Sequence, residues 1–208
     1  MKLRNIWLLE LLLCLSAVGC ESKSAERPMQ NVTRLKEMLK RTDVVLIKHF
    51  YPMKVQSEDS DTKFPQIIPG SISATPVWAY EPTEKSNGLT GVILEVRESY
   101  LLDLNASKNG GQKDQAVLDL DELRDLDNAL TAMQSENAPW RATSSAEDIE
   151  MMFAARDGFS VTAIKKTDGE SALLVKAGAA SIDLNYSKAP AFQADVRSAI
   201  SLLESKTR

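Results

Sequence analysis

Apolar positions change period repeatedly along this chain, and the changes mark its elements. Behind Asn31, a helix-capping residue type, Val32, Leu35, Met38 and Leu39 fall on one side of a short predicted helix that ends at Thr42-Asp43. Residues 44–51 are β-branched and aromatic and predict a strand. A polar loop over 57–70 precedes a second strand over 72–80, in which Pro76 calls for a sheet edge or a bulge. Past a turn at 81–88, residues 91–98 alternate, with Val92, Leu94 and Val96 inward and Glu95 and Arg97 outward. A glycine-rich loop over 105–114 leads to a short strand over 116–120. Asp119 or Asp121 then caps a helix in which Leu123, Leu126, Leu130 and Met133 share a face, ending near Asn137-Ala138-Pro139.

The second half alternates more regularly. Ile149, Met151, Phe153 and Ala155 lead to Asp157-Gly158, a hairpin signal, and Phe159, Val161 and Ala163 continue to a turn at Thr167-Asp168-Gly169. Residues 171–176 form a third strand, and Ala180, Ile182, Leu184 and Tyr186 alternate in a fourth. Pro190 suits the first turn of a closing helix with Phe192, Val196, Ala199, Ile200 and Leu203 on its apolar face. The halves match each other: Leu118-Asp119-Leu120 with Ile182-Asp183-Leu184, and Leu126, Leu130, Met133 with Val196, Ile200, Leu203, the second copy having the longer strand-to-helix link. The fold class expected is α+β: two tandem units of antiparallel meander sheet plus helix, about 42–137 and 146–206, after a short N-terminal helix, in one domain over 31–208. This order of elements resembles the Whirly fold in architecture, and the likeness implies nothing about function.

The first 19 residues stand apart. Lys2 and Arg4 precede an apolar run too short to span a bilayer, which is the form of a signal peptide. Ala17-Val18-Gly19-Cys20 resembles the lipobox of bacterial lipoproteins. That resemblance implies cleavage before Cys20, lipidation of its sulfur, and a membrane-anchored protein on the periplasmic or extracellular side. Residues 21–30, polar and aperiodic, then read as a tether.

Composition narrows the chemistry. The net charge of −4 disfavours a phosphate-backbone binder, so no nucleic-acid partner is expected. The two cysteines, Cys14 and Cys20, leave no disulfide inside the domain, and a single histidine, His49, offers no histidine cluster for a metal. No cofactor or metal is expected. Asp119, Asp121, Glu122, Asp125 and Asp127 lack the spacing of an EF-hand and read as helix capping and first-turn charge. His49 shares a strand face with Val45, Ile47 and Tyr51 and reads as a structural histidine. Ser60-Asp61-Thr62-Lys63 has Ser-x-x-Lys spacing but lies in a polar loop and not at the start of a helix.

With no nucleophile–base pair in view, no catalytic residue is assigned. The reading is a non-enzymatic, envelope-tethered binding module, joined to the membrane through Cys20 and taking an envelope protein or glycan as partner. Trp78, Tyr80 and Trp140 are its candidate contact residues, because large aromatic side chains concentrate at binding sites. The alternatives are an inhibitor or immunity-type protein, and a carboxylate-dependent envelope hydrolase using Glu95 or Asp183.

Overall fold

The structure, a computed structural model, describes residues 32–51, 67–68, 70–101, 111–141, 150–165 and 170–206. The leader, Cys20, the tether, Asn31, Ser60 to Lys63, Ile149 and the turn expected at Thr167-Asp168-Gly169 lie outside the described residues. In chain order come α1 (Arg34–Lys40), β1 (Ile47–Phe50), β2 (Ile67–Ile68), β3 (Ser71–Tyr80), β4 (Leu89–Arg97), β5 (Tyr100–Leu101), β6 (Lys113–Asp119) and α2 (Leu120–Gln134). Then follow β7 (Met151–Ala154), β8 (Phe159–Lys165), β9 (Ser171–Ala177), β10 (Ala180–Asn185) and α3 (Ala189–Lys206). The architecture is α+β. Two four-stranded antiparallel sheets, β1-β3-β4-β6 and β10-β9-β8-β7, are each followed by a long helix, with a short helix in front. β2 and β5 pair as a separate two-stranded ribbon.

Both sheets bury one face in a single core. From the first sheet come Ile72, Ala74, Val92, Leu94, Val96, Ala116 and Leu118, and from the second Phe159, Val161, Ala163, Leu173, Val175, Ala177, Ile182 and Leu184. Leu123, Leu126, Leu130 and Met133 of α2 close this core together with Phe192, Val196, Ala199 and Leu203 of α3. The alternation and the helical spacing seen in the sequence therefore select the buried faces. The docking itself is not sequential: α3 follows the second sheet but packs on β3 and β4 of the first, alongside α2. On the opposite face of the first sheet, Leu35 of α1 packs with Val77, Ala79 and Val117 in a smaller cluster.

The strand-to-helix links differ as expected. β6 passes straight into α2 at Asp119, while a turn of 3₁₀ helix, Tyr186–Lys188, separates β10 from α3. Some boundaries move. Thr33 caps α1, its side chain accepting from the Lys36 amide; β1 begins only at Ile47, and α2 ends at Gln134. Pro76 sits in β3, an interior strand, but at the point where β1 stops. Pairing with β1 ends at Phe50↔Val77, and the Pro76 carbonyl accepts from the Tyr51 amide at 3.0 Å. An antiparallel residue turns its N and its C=O to the same flank, so the N–H that proline lacks is missing on the flank where the registered ladder ends.

One carboxylate ties three elements. Asp119 is the last residue of β6 and the N-cap of α2, in a capping box with Glu122. Its Oδ1 accepts from the Leu35 amide at 2.9 Å and its Oδ2 from the Arg34 amide at 3.1 Å, which satisfies the N-terminus of α1 from across the fold. Arg156, in the β7–β8 turn, donates to Asp119 at 3.1 Å and to Glu122 at 2.9 Å. Hydrogen bonding to Glu122 raises the pKa of the guanidinium, against its burial. The outer edge of β6 is closed the same way. Its amides at Gln115, Val117 and Asp119 donate to the carboxylates of Asp114, Asp157 and Glu122, so this edge offers no free N–H at those positions to another strand.

The clasp runs in both directions. Asp157 of the β7–β8 turn grips β6, while Asp114 of β6 grips the two-residue β9–β10 turn through the Ala179 amide at 2.9 Å. Gly178 there has φ +54, and a Cβ on it would fall 2.2 Å from the Asp114 carboxylate, so both backbone sign and space call for glycine.

Replacing Asp119 by Ala removes the cap of α2 and orphans two amides of α1. We expect a loss of about 3 kcal/mol in urea unfolding; a loss under about 1 kcal/mol would show that the clasp is incidental. The pKa of Asp114 is lowered by the Ala179 and then the Gln115 amide. A depressed carboxyl contributes stability above its unfolded pKa and loses it as pH falls through the lower folded value. Asp114→Asn should therefore flatten the acid limb of the stability–pH curve, and an unchanged limb contradicts the assignment.

Candidate functional site

β1 pairs with the last four residues of β3, with His49 opposite Trp78 and Ile47 opposite Tyr80. Paired residues share a sheet face, so His49, Tyr51, Trp78 and Tyr80 gather on the face that, further along β3, carries the core residues Ile72 and Ala74. The rings form a row. His49 lies 5.3 Å from Trp78, 5.8 Å from Tyr80 and 6.4 Å from Tyr51 between ring centroids, with interplanar angles of 22°, 15° and 12°. Trp78 and Tyr80 are 4.7 Å apart, and His49 Nε2 is 3.5 Å from the Tyr80 hydroxyl. All four side chains are partly buried.

An ammonium stands at each end of the row. Lys85, in the short 3₁₀ turn Lys85–Asn87 between β3 and β4, places Nζ 5.3 Å from the Trp78 ring centroid and 5.8 Å from that of Tyr80. Lys206, the last residue of α3, places Nζ 5.7 Å from the Tyr51 ring. These are cation–π distances. Gly88 lets the turn lie close: a Cβ there would come within 2.5 Å of Trp78 Nε1 and 3.1 Å of Tyr80 Cβ.

The remaining candidates fall elsewhere. Trp140 is 1% exposed, donates its indole N–H to the Met133 carbonyl at 2.9 Å and packs on Tyr186 at 4.7 Å. It is a core residue, and the candidate contact surface narrows to Trp78 and Tyr80. Within the acidic group, Asp119 and Glu122 form the clasp, Asp121 is 3.6 Å from Arg156, and Asp127 accepts from Gln193 at 2.6 Å and from Arg197 at 2.7 Å. Asp125 is exposed. Among the described residues no three His, Cys, Asp or Glu side chains gather as a metal-holding group.

Glu95 and Asp183 do not face each other. Each lies on the side of its own sheet turned away from the shared core, because Leu94 and Val96 point inward on β4 as Ile182 and Leu184 do on β10. Burial favours the neutral form of Glu95, but hydrogen bonds from Lys113 at 2.8 Å and Gln115 at 2.9 Å outweigh it and hold the carboxyl below its ordinary pKa. Such a group is an ion-pair partner, not a proton donor near neutrality.

Two members of the row were not legible as site residues. His49 and Tyr51 are visible in the sequence as a shared strand face, but their pairing with Trp78 and Tyr80 depends on a register that alternation alone does not set. Lys85 and Lys206 join from a turn and from the far end of α3, with no local signal. No protein-family model and no curated protein sequence matches the chain.

Gly88→Ala should displace the Trp78 indole and change near-UV circular dichroism while the far-UV spectrum stays as in the parent. Identical near-UV spectra would mean that the turn does not seat the ring.

Proposed function

We propose that this chain is an exported binding module, anchored through a lipidated Cys20 and without catalytic turnover, that takes its partner on the row Tyr51, His49, Trp78 and Tyr80. The observation that carries the reading is the row itself: four partly buried rings, three of them within 22° of the His49 plane, flanked by two ammonium groups. Rings supply a large contact area at little cost in conformational entropy, and their arrangement here spans two strands held in fixed register. The anchor supports a contact role, since a tethered domain raises the local concentration of whatever it meets at the membrane surface. The polar stretch over residues 21–30 provides reach.

Two variants separate the parts of this proposal. Cys20→Ala should abolish palmitate labelling and release the protein from the membrane fraction; a retained label sinks the anchor. Trp78→Ala should remove partners recovered by crosslinking in envelope extract, with the fold intact by circular dichroism. Unaltered recovery, or turnover of peptidoglycan by the parent protein, overturns the reading of the row as a non-catalytic contact surface.

A further inference from the structure

We infer that the ring row is shaped for an acidic polysaccharide, a chain of sugar rings carrying carboxylates at intervals; the inference rests on the reading of the row as a contact surface. The first observation concerns charge. Arg34, Arg41, Arg97, Arg124, Arg156 and Arg197 all lie within 4 Å of a carboxylate. Lys85 and Lys206 have rings as neighbours and no carboxylate partner among the described residues, as has Arg141 over Trp140 and Tyr186, but Lys85 and Lys206 both lie on the row. In a chain of net charge −4, two ammonium groups with no carboxylate partner among the described residues, bracketing one surface, favour an anionic ligand there.

The second observation is the spacing of rings and charges together. Neighbouring centroids lie 4.7 to 6.4 Å apart, which makes a track and not a cage. The apolar C–H face of a pyranose packs against an aromatic ring and excludes water from it. Hydroxyls of the same sugar find partners in Tyr80 Oη and His49 Nε2, which can donate or accept. A nucleic-acid strand presents a phosphate at every nucleotide and is met by a basic groove that follows it. Among the described residues the cations over the row's rings stand at its two ends, which suits a polymer whose charges are spaced out by neutral ring faces.

The test titrates the full chain in detergent with oligogalacturonate and hyaluronan hexamers, their carboxyl-reduced counterparts and oligo(dT), reading tryptophan emission and calorimetric heat. At least one acidic hexamer should bind about tenfold more tightly than its reduced form, and Lys85→Gln with Lys206→Gln should erase that preference. The inference is overturned if reduced and acidic forms bind alike, if neither acidic hexamer binds, if oligo(dT) binds more tightly than both, or if the double variant keeps the preference. The two levels separate through Trp78→Ala. If that variant loses its envelope crosslinks while no acidic hexamer binds the parent, the row remains the contact surface and only the ligand class falls; if it keeps the crosslinks, both fall.

Discussion

The buried carboxylate of Asp119 is the constraint on which the described fold depends. It ends β6, starts α2, caps α1 from across the sheet, and meets Arg156 from the second half. A carboxylate that is 3% exposed as a residue is stable there only because several donors converge on it. Its neighbours extend the same device, so that carboxylates of each half hold backbone amides of the other: Asp157 on Val117, Asp114 on Ala179, Glu98 on Ser181 at 3.0 Å. Hydrogen bonds of this kind are directional and short-ranged. They set how the two sheets dock, whereas the apolar core between them is tolerant of small rotations.

That docking matters for the ring row because the row is composite. Its rings come from β1, from Tyr51 just past β1 and from β3, while Lys206 comes from the end of α3, which belongs to the second unit but lies on the first sheet. Any shift of the second sheet moves α3 through their shared core, and so moves one of the two cations. The anchoring of Arg156 and Asp157 at the β6 edge of the first sheet thereby bears on chemistry at its β1 edge.

Much of the fold was legible because periodicity selects faces. Val92, Leu94 and Val96 in β4, and Leu123, Leu126, Leu130 and Met133 in α2, are buried as their spacing required. Asp119 followed three residues later by Glu122 is a capping box readable in place. What was not legible is everything that needs a partner distant in sequence. Nothing near Arg156 announces that its guanidinium reaches Asp119, and nothing near Trp78 distinguishes it from Trp140. The first ends at the rim of its sheet face beside His49, and the second is enclosed against Tyr186 with its N–H on the Met133 carbonyl. Aromatic identity marks both residues, and only the tertiary position separates a core ring from a site ring.

Whether the carboxylate clasp makes the two halves one unit is tested by urea unfolding followed at two tryptophans in separate variants. Trp7 and either Trp78 or Trp140 are replaced by Phe, leaving one reporter on β3 and one in the 3₁₀ turn Pro139–Arg141 that packs against β8. Coincident midpoints and slopes are the expectation for the two reporters after correction for each substitution's own stability change. Two separated transitions, with the β8-side reporter melting independently of the β3 reporter, would contradict it.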